Sequence, residues 1–133
     1  MKYLLDTNIC IYIIKKKPEN LIEKFKKFDI CDIAISSITL SELEYGIQKS
    51  KFPGKNRIAL HQFLSPIEIL PYDAKCAFYY GKIREFLEKT GKIIGPLDML
   101  IASHCIAVDY VLITNNEKEF KRIPDLKVVN WLK

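Results

Sequence analysis

At 133 residues, with 49% hydrophobic and 28% charged side chains, the chain is long enough to bury a core without disulfide or metal staples. No apolar run approaches the roughly 20 residues of a membrane span, so a membrane protein of that kind is excluded. The 21 Lys and Arg against 16 Asp and Glu leave a formal net charge of +5, which suits a polyanionic partner without specifying one.

No basic segment, long apolar run and small-residue cleavage site follows Met1, so no signal peptide is expected. Cys10, Cys31, Cys76 and Cys105 form no CxxC or Cys/His ligand spacing and are read as core thiols in a reducing cytoplasm.

The chain opens on Lys2-Tyr3-Leu4-Leu5-Asp6-Thr7-Asn8, an apolar stretch that ends in a carboxylate, a hydroxyl and an amide. That is the pattern of a buried parallel strand delivering polar groups to the carboxyl edge of a sheet. A short, largely buried helix follows through Ile9, Ile11, Tyr12, Ile13 and Ile14 and ends in Lys15-Lys16-Lys17 before Pro18. A second helix is expected from Pro18 to Phe28, with Leu21, Phe25 and Phe28 at helical spacing. Ile33 to Ser36 reads as the second strand, and Thr39 to Lys49 as a helix capped by Ser37 or Thr39. Lys51 to Lys55, carrying Pro53-Gly54, reads as a turn before a helix from Asn56 to Leu64. Ile67 to Leu70 is a third strand, and Asp73 caps a long helix that runs to Lys89 and ends at Gly91.

Gly95-Pro96 starts another helix, with Pro where its missing N–H is harmless. From Leu97 to Val108 this helix is apolar almost all round and belongs at the centre of the fold. Val111 to Thr114 is a fourth strand ending in a polar group, followed by Asn115-Asn116, a short turn through Glu119-Phe120, and a weak last strand over Lys127 to Val129. Strands alternating with helices imply one α/β domain over residues 1–133, with a mainly parallel sheet covered on both faces.

Parallel topology brings strand ends to one edge, so Asp6 at a strand end, Glu42 in the third helix and Asp98 at the start of the central helix are candidate partners. Oxygen ligands of this kind suit a hard divalent cation such as Mg²⁺, and no His/Cys cluster competes for zinc. Each acid also has a plain structural role. Asp6 can cap the helix that follows it, and Asp98 can lie in a first helical turn where the dipole favours a carboxylate. Against that for Asp98, its apolar setting asks for a partner, and a cation is one. Periodicity does not choose between Glu42 and Glu44: Glu44 lies nearer the face of Leu40, Leu43 and Ile47, and Glu42 lies between Ile38 and Tyr45. Lys15-Lys16-Lys17 and Lys49, Lys51, Lys55 and Arg57 are read as two solvated loops able to contact phosphate. Tyr45, Phe52 and Tyr79 are read first as core and second as rings able to stack on unpaired bases.

Four blocks in order resemble the signatures of PIN-domain ribonucleases, in particular the VapC toxins of VapBC toxin–antitoxin systems. They are Leu5 to Asn8, Ile35 to Gly46, Ile94 to Ala102 and Leu112 to Phe120, and the likeness covers essentially the whole chain, including the Trp131 ending. The resemblance implies a three-layer α/β/α fold and a Mg²⁺- or Mn²⁺-dependent endoribonuclease with Asp6, Glu42 and Asp98 as its acidic site. It selects Glu42 over Glu44, and makes Thr7 and Thr114 supporting donors. The fourth block departs from the most acidic family pattern: Asn116 stands where many PIN domains have aspartate, and Glu119 is the other acid on offer as a ligand. The resemblance further implies structured RNA as substrate, with the tRNA anticodon loop favoured. It also implies a VapB antitoxin, a toxin homodimer, and operator DNA reached only through the antitoxin complex. The alternative is a PIN-like module that binds RNA or protein without cutting.

Overall fold

The computed structural model describes residues 1–133. Three short apolar runs form the middle of the sheet: β1 (Tyr3–Leu5), β2 (Ile33–Ser36) and β4 (Val111–Ile113). β3 (Glu68–Leu70) and β5 (Val128–Val129) close its edges, giving the order β3-β2-β1-β4-β5 with every pairing parallel. The expected α/β class with a parallel sheet is what the chain adopts. Side chains alternate across a strand, and the alternation divides the core in two. Leu5, Ile33, Ile35, Val111 and Ile113 face one layer, formed by α1 (Thr7–Lys15), α2 (Glu19–Lys26), α3 (Ser37–Lys49) and α4 (Pro53–Leu64). Leu4, Ala34 and Leu112 face the other, formed by α5 (Ala74–Lys89), α6 (Pro96–Val108) and the short α7 (Glu117–Phe120). No helix is long and apolar enough to cross a membrane.

Several boundaries differ from the sequence reading. α3 starts at Ser37, two residues early, because Ser36 rather than Ser37 or Thr39 is its cap: the Ser36 hydroxyl accepts from the Ile38 N–H at 3.0 Å. Thr39 is fully buried, and Ser37 Oγ instead accepts from the Tyr72 N–H. The expected turn at Pro53-Gly54 is the first turn of α4, since proline's fixed φ favours the first helical position. α1 ends at Lys15, with Lys16 left-handed at φ 59° and its N–H satisfied by the Tyr12 and Ile13 carbonyls, so the lysine run complements the helix dipole. Cys10, Cys76 and Cys105 are buried as expected. Cys31 is exposed, because the 3₁₀ turn Ile30–Asp32 carries it outward. Tyr45 and Phe52 are also exposed, not core.

Ser36 continues the face of Ala34 and therefore meets α6, where its hydroxyl lies 2.7 Å from Nδ1 of fully buried His104. Burial pushes the His104 pKa below its ordinary value, favouring a neutral ring whose Nδ1 accepts from the Ser36 hydroxyl while Ser36 Oγ accepts from the Ile38 N–H. Nε2 has no polar partner, and the imidazole meets the Tyr72 ring edge-on at 5.8 Å between centroids. Ser36→Ala removes a helix cap and orphans a buried nitrogen together. It is expected to lower stability by about 2–4 kcal/mol in urea unfolding.

Candidate functional site

The β1–β4 register pairs Leu5 with Ile113, so the residues that follow, Asp6 and Thr114, emerge side by side at the carboxyl edge of the sheet. The Asp6 N–H continues the ladder to the Ile113 carbonyl at 3.0 Å. Asp6 shares the strand face of Leu4 and so points toward the α6 layer. Its Oδ1 accepts from the Ile9 N–H at 2.9 Å, capping α1, and its Oδ2 accepts from the Thr114 hydroxyl. The capping role and a site role therefore coexist in one carboxylate, since each oxygen keeps a lone pair.

Glu42 projects from α3 to the same place: its Oε1 accepts from Thr7 Oγ1 at 2.6 Å, one residue beyond Asp6. Glu44 turns away. Its carboxylate is held in a fork by Arg57 of α4, at 2.7 and 3.2 Å, which also holds its pKa below the ordinary value. The ambiguity that helical spacing left open is thus decided by a partner 13 residues downstream.

Asp98, half-buried in the first turn of α6, completes the group. Its carboxyl is pushed up first by burial, then by the charges of Glu119 and Glu42. Asp6 is 5% exposed, and its pKa rises from 3.8 to about 6: burial outweighs the Thr114 and Ile9 donors, and the charges of Asp98 and Glu42 add to it. Glu119 reaches the site from α7, where Oε2 accepts from Asn116 Nδ2 at 3.0 Å. Asn116 N–H in turn donates to Thr114 Oγ1. The structure therefore brings together Asp6, Glu42, Asp98 and Glu119, with Thr7, Thr114 and Asn116 as their neutral donors. Sequence reasoning did not find Asn115, whose amide donates to the Tyr12 hydroxyl at 3.3 Å. Nor did it find Ser36–His104, whose members are 68 residues apart and carry no spacing signal.

None of the ion pairs in the protein involves these four carboxylates. Mutually repelling, partly buried acids without a cationic side chain make a donor set of hard oxygens that fits Mg²⁺ or Mn²⁺. They stand apart and do not form a ready-made cage of three or more ligands. A hydrated Mg²⁺, held through one or two carboxylates, does not require one.

Beside Glu42 opens a groove of about 400 Å³ between α1, α3 and α4. Ile11, Leu43, Ile47 and Leu60 form its apolar wall, and Lys15 and Lys49 line it too. The two lysine runs that looked like separate loops thus each send a residue to one groove.

Comparison with known proteins agrees with the fold. The PIN domain family matches residues 3–126. Ribonuclease VapC2 of Rickettsia felis is 54% identical over 134 residues, covering 98% of both chains. The tRNA(fMet)-specific endonuclease VapC of Salmonella typhimurium is 43% identical over 131 residues, again with 98% of both covered. Among solved structures, VapBC2 from Rickettsia felis bound to a DNA fragment from its promoter superimposes with a TM-score of 0.92 at 51% identity, over 98% of this chain and 99% of that one. DNA-bound VapBC from Salmonella typhimurium gives a TM-score of 0.92 at 43% identity and 98% coverage of each.

Proposed function

The chain belongs to the PIN-domain family, among the VapC ribonucleases of toxin–antitoxin systems, and from that premise we propose that it hydrolyses RNA phosphodiester bonds at the Asp6–Glu42–Asp98 site. The observation that carries this reading is the convergence of three buried or half-buried acids, with Glu119 as a fourth, where no cationic side chain offsets them.

Asp6, Asp98 and Glu42 would hold Mg²⁺ or Mn²⁺, with Glu119 as the fourth acid and Asn116 supporting it rather than replacing it. When bound, such an ion activates a water nucleophile and offsets charge on the reacting phosphate. The chain's own part is orientation. Thr114 fixes one Asp6 oxygen, the α1 N-terminus fixes the other, and Thr7 fixes Glu42, so the carboxylates need little reorganisation.

Asp98, with no hydrogen-bond partner of its own, is the most available acceptor. Asp98→Asn is expected to lower kcat/KM at least about 100-fold. With water as nucleophile, cleaved RNA should carry 5′-phosphate and 3′-hydroxyl ends, and EDTA should stop the reaction. Cyclic 2′,3′-phosphate ends, or equal cutting by wild type, Asp6→Ala and Asp98→Ala, would remove the proposed site.

The substrate reading is structured RNA with an unpaired loop, in particular the anticodon loop of initiator tRNA, supported by the tRNA(fMet) specificity named for the Salmonella relative. The partner is a VapB-type antitoxin, for which the apolar groove beside Glu42 is a suitable seat. A toxin homodimer completes the assembly in the cytoplasm, with operator DNA contacted by the complex through the antitoxin.

A further inference from the structure

We propose that Tyr45, paired with Lys49, is a base-stacking subsite for an unpaired nucleotide next to the scissile phosphate. This deepens the ribonuclease reading above and rests on it.

Tyr45 is 65% exposed on a helix whose opposite face is core. It lies three residues beyond Glu42, and side chains at that spacing are neighbours on a helix surface. The ring therefore stands beside the carboxylate at which the phosphate is cut. Lys49, one further turn along, places Nζ 5.1 Å from the ring centroid. A cation for a phosphate and a π face for a base thus share one turn of α3, the combination that binders of single strands use. The acid beside the ring does not oppose this, because Arg57 matches the Glu44 charge. Phe52, 67% exposed just before α4, offers a second ring farther along the same connection.

RNA is favoured over a peptide as the occupant by position. Lys49 and Glu42 border the groove but Tyr45 does not, so a peptide seated against Ile11, Leu43, Ile47 and Leu60 has no need of the ring. The ring stands three residues from Glu42 on α3, within reach of a nucleotide flanking a bond cut at that carboxylate. A stacking ring next to the reacting phosphate also demands a base free to leave its helix, which selects loops over duplex.

The test is a cycle between Tyr45 and the RNA. Tyr45→Leu should lower kcat/KM on a hairpin with an unpaired loop by about 5- to 100-fold, and Tyr45→Phe should restore most of the loss. An abasic nucleotide beside the cleaved phosphate should cause a similar loss in the wild type and little further loss in Tyr45→Leu. Binding of the same hairpin by the Asp98→Asn protein, followed by fluorescence anisotropy, should weaken when Tyr45→Leu is added. Ring-dependent binding without cutting by the wild type would leave this subsite standing and overturn the ribonuclease reading. Cutting by Tyr45→Leu at the wild-type rate would overturn the subsite. So would additive losses in the cycle, or a Tyr45→Leu defect confined to antitoxin binding, which would assign the ring to the protein partner.

Discussion

Asp6→Asn is expected to abolish RNA cleavage and, at the same time, to make the metal-free protein harder to unfold at neutral pH. Burial first, and then the Asp98 and Glu42 charges, hold the folded-state pKa of Asp6 at about 6 against an ordinary value of 3.8. The folded protein therefore binds this proton more tightly than the unfolded chain does. The associated stability is fully present below the unfolded pKa and is lost as pH rises through the folded one, where a charged carboxylate must stay buried. The difference corresponds to roughly 3 kcal/mol above pH 7. Asparagine keeps an oxygen for the Ile9 N–H and presents an N–H to the Thr114 hydroxyl, so it removes the charge while retaining the cap. Urea midpoints in EDTA at pH 4.5 and 7.5 read the effect: the wild type should lose stability with rising pH more steeply than the variant. Parallel slopes would mean that Asp6 carries no buried charge. Activity in Mg²⁺ should fall at least about 100-fold.

Trp131→Ala is expected to cost about 3–5 kcal/mol, enough to leave a domain of ordinary stability partly unfolded. Trp131 is 2% exposed, stacks on Phe28 at 4.6 Å between centroids, and contacts Tyr3 at 6.0 Å and Phe25 at 6.4 Å. It joins the C-terminal residues to the α2 side of the core, an attachment extended by the Asn20 amide donating to the Leu132 carbonyl at 3.2 Å. Trp131→Phe should recover much of the loss. Thermal unfolding with near-UV circular dichroism measures both variants. A change below about 1 kcal/mol for alanine would show that the site collapses without a cavity.

Sequence pattern carried the fold because the buried parallel strands are short apolar runs broken by polar residues at one consistent end. Leu5-Asp6 and Ile113-Thr114 announce the carboxyl edge before any coordinates are known. The same alternation says which strand residues face which helical layer. It could not say where Glu42 and Glu44 point, since both sit at partly buried helical positions and the decision belongs to Arg57 and Thr7 on other elements. The α3 cap escapes sequence pattern for the same reason: Ser37 and Thr39 look like caps by residue type, and only the end of β2 makes Ser36, a strand residue, the cap. Tyr45 and Phe52 look like core by residue type. Their exposure depends on how α3 and α4 pack, which periodicity in so short a connection does not record.

The pairing of Asp6 with Thr114 joins positions 108 residues apart. β1 lies in the middle of the sheet, and its β4 neighbour follows almost everything else. During synthesis the first strand must therefore wait for the fourth, and neither Asp98 nor Glu119 has been made when Asp6 and Glu42 emerge. An incomplete chain on the ribosome has no assembled acidic site. The order of strands thus ties assembly of the acidic group to the last part of translation, when β4 and α7 join a β1 made at the start.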